Sequence, residues 1–357
     1  MNKEKNLSPA DEQKALYDEW LADPKSDDTK LQEFYNSERS YELSYLEKNR
    51  GFITGSKLET FKKDQWWYYL QFVEEMKPPY QIDTTYEPFV IGSCLDDLIT
   101  YGEERVEDHY IVMDRRVSNI EDAIMECTKK IEEAQNEDLK KDGTRYAQSI
   151  KDEQSAKERI GLLVNIKGKT QLTPANRELV SQMQREWNAQ PLFPKKLTKK
   201  HLFFKLNGTI PVKCELDHHI PHFTDEHCDA HDFFAVFDMK TTADIEKSVK
   251  FARDNYLGQM SLYAMAAELT LLKDTEVDQK VCAIIGAVDK HGLWSRSAGI
   301  YFSPETLKES RGALIDKIEE CWRAHTTGMF FKTDDFLPDC PYYGTAGYGR
   351  AKKFFIA

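Results

Sequence analysis

Asp217, Asp238 and Lys240 are the residues of this chain whose types and spacing bear most directly on chemistry. Twenty residues separate Asp217 from Asp238, and Lys240 follows two positions later. Each acid closes an apolar segment of strand character, Ile210 to Leu216 for Asp217 and Phe233 to Met239 for Asp238. Residues two apart on a strand project from the same face, so Asp238 and Lys240 share one. A carboxylate beside a lysine at a strand end is costly to bury without a purpose. If the two strands are neighbours, Asp217 and Asp238 converge. Their oxygens and the Met239 carbonyl make a hard-oxygen cage that suits Mg²⁺ or Mn²⁺ and not zinc. Lys240 would then orient or deprotonate a water at the cation, and its charge would stabilise a pentavalent phosphoryl transition state. Downstream, Tyr256, Gln259 and Tyr263 fall at i, i+3 and i+7, on one face of a helix.

Two other clusters invite chemistry. His218, His219, His222, His227 and His231 are five of the nine histidines, and Cys228 lies among them. Zinc is one reading. The spacing matches no finger, however, and Asp225, Glu226, Asp229 and Asp232 are interspersed, so a polar hairpin loop between the two motif strands is the plainer expectation. DNA contact is a third reading. From Trp187 to Cys214 there is no Asp or Glu, while Lys195, Lys196, Lys199, Lys200, Lys205 and Lys213 are all present. A groove that tracks phosphates requires such a stretch; a solvated face is the alternative.

The rest of the chain sets limits. The 49 basic and 61 acidic residues leave a formal charge of −12, which argues against a non-specific nucleic-acid coat but not against a local basic groove. The seven cysteines form no C-x-x-C, against a disulfide framework, a four-cysteine zinc site or an iron–sulfur cluster. No apolar run approaches the roughly 20 residues of a membrane span. Met1 to Ser26 is charged and lacks a signal-peptide core, so a cytoplasmic protein is expected. No G-x-x-x-x-G-K-[ST], G-x-S-x-G or His-Glu-x-x-His is present.

The elements that must position these residues are legible in outline. Residues 1–52 read as a peripheral arm of short helices, broken near Asp23-Pro24. Ser56 with Glu59 three residues on predicts a capping box, opening a helix through Trp66, Trp67 and Tyr69 that ends before Pro78. Further helices are predicted from Pro88 to about Tyr101, as a polar pair within 118–160, and from Pro174 to about Trp187. His201–Leu206 and Ile210–Leu216 flank Asn207-Gly208, a hairpin signal. Phe233–Met239 is a third strand and Asp244–Leu272 a long helix. Val281–Val288 has the unbroken apolar character of a buried central strand. Ser297–Phe302 is another strand, Pro304–Ala324 a final helix, and Asp339–Gly349 a loop. The order predicts an α/β (α+β) fold with a mixed sheet flanked by helices. The right-handed crossover rule makes the strands on either side of helix 244–272 parallel.

Asp217, Asp238-x-Lys240 and Gln259-x-x-x-Tyr263 together resemble the PD-(D/E)XK nuclease superfamily, in its RecB-like and exodeoxyribonuclease VIII-like (phage-type) branch. "ITGSKLETFKKDQWWYYLQF" is similar to that branch's opening Ser-x-x-x-x-Phe helix. "FVIGSCLDDLITYG" is similar to its G-x-x-x-His helix, with Asp96 where many relatives have His. The resemblance covers roughly residues 53–110 and 197–303. It implies a restriction-endonuclease-like core in residues 53–357, with a helical insertion at about 118–190 and residues 1–52 as an extension. It implies a Mg²⁺- or Mn²⁺-dependent DNA exonuclease of recombination, repair or phage DNA processing. In that scheme Asp217, Asp238, the Met239 carbonyl and Asp96 hold the metal, Lys240 positions water, and Gln259 and Tyr263 brace Lys240 and the DNA backbone. Tyr256 and Lys195, Lys196, Lys199 and Lys200 would contact DNA. The four cysteines of cluster-bearing relatives have no counterpart, so no iron–sulfur cluster is expected. The implied setting is a bacterial or phage-infected cytoplasm, with DNA and a recombination or strand-annealing protein as partners. The alternative is a non-catalytic DNA-binding or virion-assembly protein that keeps the fold.

Overall fold

The computed structural model describes residues 7–23, 28–75, 87–114, 117, 119–136, 147–224, 232–273, 279–290 and 296–330. The chain divides into two compact units, one comprising residues 1–83, 192–289 and 297–357, the other 84–191 and 290–296.

The first unit opens with α1 (Pro9–Ala22), α2 (Thr29–Tyr35) and α3 (Tyr45–Lys48), followed by α4 (Gly55–Lys63) and α5 (Gln65–Phe72). The expected single helix after residue 56 is two. Asp64 takes an extended conformation and caps α5 by accepting from the Trp67 N–H. The cap of α4 is Thr54 rather than Ser56: its hydroxyl accepts from the Lys57 N–H at 3.3 Å.

The second unit contains α6 (Glu87–Tyr101), α7 (Glu103–His109), β1 (Tyr110–Val112), α8 (Ile120–Gln135), α9 (Ala147–Ile166), β2 (Thr170–Leu172) and α10 (Pro174–Ala189). The expected polar helical pair is α8 and α9, which bury Cys127, Ala156, Leu163 and Ile166 between them. β1 and β2 form a short parallel pair.

The first unit then resumes with β3 (Lys200–Leu206), β4 (Ile210–Leu216), β5 (His218–Thr224), β6 (Asp232–Thr242), α11 (Ile245–Lys250), α12 (Ala252–Thr270), β7 (Val281–Asp289), β8 (Ser297–Phe302) and α13 (Pro304–Thr327). β3 and β4 form the predicted antiparallel hairpin. Asn207 and Gly208 turn it at φ 51° and 75°, the left-handed region these two residue types enter most readily. The second sheet has the order β5-β6-β7-β8, with β6 and β7 parallel as the crossover rule requires and the outer pairs antiparallel. Every residue of β7 is buried.

Two expectations are corrected here. His218–Thr224 is a strand, not part of a loop: it pairs with β6 at the sheet edge, where Pro221 is tolerated because no inner ladder needs its N–H. The helix expected over 244–272 is broken at Phe251 into α11 and α12.

Alternation along the hairpin explains how the arm is held. Leu202, Phe204 and Leu206 of β3 and Ile210, Val212, Cys214 and Leu216 of β4 face the main core with α12. The opposite face carries Phe203, which packs with Trp20, Leu31, Phe34, Tyr35, Leu43 and Phe52. Both faces of the hairpin are therefore covered, and these arm residues form its second layer. Among the described residues no helix is long and apolar enough to cross a membrane.

Candidate active site

Asp217 is the single residue between β4 and β5. Its Oδ2 accepts the Met239 N–H at 2.7 Å, which fixes it against β6. The β5–β6 ladder ends at His218 and Phe237, so Met239 lies just beyond it. Within a strand the N–H and C=O of one residue project to the same edge. The Met239 carbonyl therefore faces the Asp217 side as well.

Asp238 is 2 % exposed, and its Oδ2 is ion-paired with the Lys240 ammonium. From α12, Gln259 Nε2 donates to Asp238 Oδ1 at 3.3 Å and to the Tyr263 hydroxyl at 2.7 Å. The i, i+4 spacing of Gln259 and Tyr263 stacks them on the helix face that covers β6. Tyr256, one turn earlier, is partly buried against the core and lies within electrostatic reach of Lys240. Sequence and structure thus bring Asp217, Asp238, Met239, Lys240, Tyr256, Gln259 and Tyr263 together in one unit.

The electrostatics follow from burial and like charge. The Asp217 carboxyl is pushed up to about 7 by burial and then by Asp238, partly offset by Lys240, Lys199 and the Met239 N–H. Burial alone would draw the Lys240 ammonium down, but Asp238 and then Asp217 hold it above the ordinary lysine range. It stays charged, and a charged ammonium has no lone pair with which to accept a proton. Burial, then Asp238, raises the Tyr263 phenol far above its usual range, leaving it a neutral hydrogen-bonding group. Two adjoining acids, one held protonated near neutrality by burial and by the other's charge, form a donor set that a divalent cation would relieve. Among the described residues no third His, Cys, Asp or Glu completes a metal-holding group there.

Asp96 belongs to the second unit. It is partly buried on α6 and accepts from the Thr100 hydroxyl at 3.3 Å. Its neighbour Asp97 accepts from the Tyr110 hydroxyl at 2.7 Å. Lys195 and Lys196 are exposed, while Lys199 and Lys200 are partly buried. Lys199 lies 3.9 Å from Glu215. Lys205 and Lys213 leave the basic run: Lys205 bonds the Trp20 and Asp23 carbonyls, and Lys213 is buried. In the histidine segment, His218 bonds Thr198 at 2.8 Å, His222 bonds Asp232 at 2.8 Å, and the His219 ring stacks on Phe234. His227, Cys228 and His231 lie outside the described residues.

Sequence reasoning missed two buried cations, Lys57 and Lys213. Period-two alternation places Lys213 on the polar face of β4. The signal that this face is covered was Phe203, an aromatic between His201 and Lys205 on the outer face of β3.

No protein-family model matches the chain, and no curated protein matches it significantly. The chain is similar to a crystal structure from Eubacterium rectale named "Putative exonuclease", with a TM-score of 0.41 and 13% sequence identity over 82% of this chain and 86% of that one.

Proposed function

We propose that this protein is a metal-dependent DNA nuclease of PD-(D/E)XK type, hydrolysing phosphodiester bonds from DNA ends. The observation that carries the reading is the convergence of Asp217, Asp238 and Lys240, with Gln259 bridging Asp238 to Tyr263. Binding alone does not call for a carboxylate pair facing phosphate. Asp217, Asp238 and the Met239 carbonyl would hold Mg²⁺ or Mn²⁺. The bound cation would supply Lewis-acid stabilisation of charge on the phosphoryl oxygens. The charged Lys240 aligns a water for in-line attack on phosphorus and stabilises the negative charge that develops. Gln259 fixes the Asp238 carboxylate, and Tyr263 fixes Gln259, so the ion pair keeps its orientation. Tyr256 and Lys195, Lys196, Lys199 and Lys200 would carry the DNA backbone.

The test is degradation of end-labelled linear DNA and of circular DNA, with and without Mg²⁺, by wild type and by Lys240→Ala. Loss of label from linear DNA alone, dependent on Mg²⁺ and on Lys240, is the expected result. Equal attack on circular DNA would make the enzyme an endonuclease. Binding without cleavage would make it a non-catalytic DNA-binding protein.

A further inference from the structure

Lys57 and Lys213 are 3 % and 5 % exposed, and neither belongs to the catalytic scheme. Both end on the same short stretch of backbone. Lys57 Nζ donates to the Asn49 carbonyl at 2.8 Å and the Phe52 carbonyl at 3.0 Å. Lys213 Nζ donates to the Lys48 carbonyl at 3.1 Å and lies 3.4 Å from Asn49 Oδ1. The Lys48 and Asn49 carbonyls close α3, where helical partners run out and other donors are needed. Lys213 also sits 3.9 Å above the Tyr35 ring, and Lys57 sits 5.3 Å from the Phe72 ring. Such faces attract a cation.

The stretch these cations hold leads to the site in two directions. Ile53 joins β4: its N–H donates to the Pro211 carbonyl at 2.8 Å, and its carbonyl accepts from the Lys213 N–H at 2.9 Å. β4 ends at Asp217. Immediately after, α4 begins at Gly55 and lies directly against α12. A Cβ added at Gly55 would stand 3.9 Å from Gln259 Cγ, and one added at Gly258 would stand 3.7 Å from the Glu59 carboxylate. Residues 48–55 therefore border both the strand that delivers Asp217 and the helix that delivers Gln259.

We infer that Lys57 is a positioning residue for the proposed hydrolytic site, its ammonium gathering the carbonyls of Asn49 and Phe52 so that α4 sets Gln259 against Asp238. The inference rests on the nuclease reading. On this view the N-terminal arm belongs to the catalytic scaffold. Lys57 touches none of the reacting groups and acts through the turn and α4. Burial, partly offset by Cys321 and Glu75, draws its ammonium down to about 8, which leaves it mostly charged at neutral pH.

The experiment compares Lys57→Ala and the shape-conserving Lys57→Met with wild type. It reads Mg²⁺-dependent cleavage, DNA affinity in Ca²⁺, and melting temperature. A misplacement of about 1 Å costs about a hundredfold in rate, so kcat should fall by about that factor. DNA affinity should be unchanged, and added ethylamine should restore cleavage by Lys57→Ala in a saturable manner. Wild-type kcat in folded Lys57→Met overturns the inference, as does a parallel loss of DNA affinity without amine rescue. Failure of both variants to fold also overturns it, making Lys57 a determinant of the fold alone. Absence of cleavage by wild type is a separate result, and sinks the nuclease reading itself.

Discussion

The Met239 N–H donates to Asp217 Oδ2 across 2.7 Å, so the two acid-bearing strands are pinned together at the point where their backbone ladder stops. Asparagine at position 217 keeps an acceptor for this bond while removing the charge, whereas alanine removes both. Asp217→Ala should therefore melt lower than Asp217→Asn, by about 0.5–1.5 kcal/mol for one hydrogen bond. Both should lose cleavage. Equal stability of the two, by denaturant titration, would show that the bond does not hold the strands.

Asp238→Asn removes a buried carboxylate whose charge adds to burial in raising its neighbour Asp217. Cleavage should fall by at least about a hundredfold, the scale of losing one transition-state contact. The melting temperature should fall, because the Lys240 ammonium loses its buried partner and the relieved repulsion of Asp217 offsets only part of that. Full activity in this variant would remove Asp238 from the mechanism.

The raised Asp217 carboxyl gives stability a pH dependence of definite sign. An aspartate in an unfolded chain titrates near about 4, and in the fold this one titrates near about 7. Between those values the native state holds a proton that the unfolded chain has released. Metal-free stability should therefore fall as pH rises across that window. Melting temperatures in EDTA should show this slope in wild type and a flatter one in Asp217→Asn. Divalent-cation affinity should strengthen with pH up to about 7 and level off above it, because the cation displaces the proton. A wild-type melting temperature that climbs from pH 4 to 7 by as much as that of Asp217→Asn would refute the assignment.

Lys195 and Lys196, the first lysines of the acid-free stretch, are exposed. If they meet phosphates, each replaced by alanine should lower the slope of log affinity against log salt by roughly one. The loss should be the same for unrelated DNA sequences, because lysine reads charge and not base edges. Titrations in Ca²⁺ measure this without cleavage, and coincident lines would place the groove elsewhere. Lys199→Ala is expected to act differently, since Lys199 also lies near Glu215 and lowers the Asp217 carboxyl.

Adjacent acids on α6 should separate by phenotype. Asp97 holds the Tyr110 hydroxyl, and Tyr110 is 8 % exposed. Asp97→Ala leaves that hydroxyl without its partner, at a cost of about 1–3 kcal/mol. Asp96→Ala should leave stability within about 0.5 kcal/mol. Denaturant titration of the two variants checks this, and equal losses of stability would overturn it.

Residue spacing and helical period carried much of this site. Asp238 and Lys240 lie on one strand face, and Gln259 and Tyr263 are one turn apart, so their convergence with Asp217 was legible without coordinates. The hairpin at Asn207-Gly208 and the buried strand β7 were legible for the same reason: local chemistry and long-range packing agree there. β5 was not. His218–Thr224 lacks clean alternation and contains Pro221, and only pairing with β6 makes it a strand. The break at Asp64 was hidden too, because Lys62, Lys63, Asp64 and Gln65 include no Pro or Gly and the extended Asp64 backbone alone ends α4. The covering of the hairpin's outer face depends on contacts far apart in sequence, such as Trp20 with Phe203.

Asp217 occupies the one position between a strand of the hairpin and a strand of the second sheet. A loop absorbs an extra residue by bulging outward, but this junction has no slack on either side. Adding or removing one residue between Ile210 and Asp217 would rotate the carboxylate to the opposite face while leaving composition and hydrophobicity almost intact. The tolerance of this protein to changes in length should therefore be sharply uneven. Such changes should be borne at the hairpin turn, eight to ten residues upstream, and forbidden in the seven residues that lead to the acid.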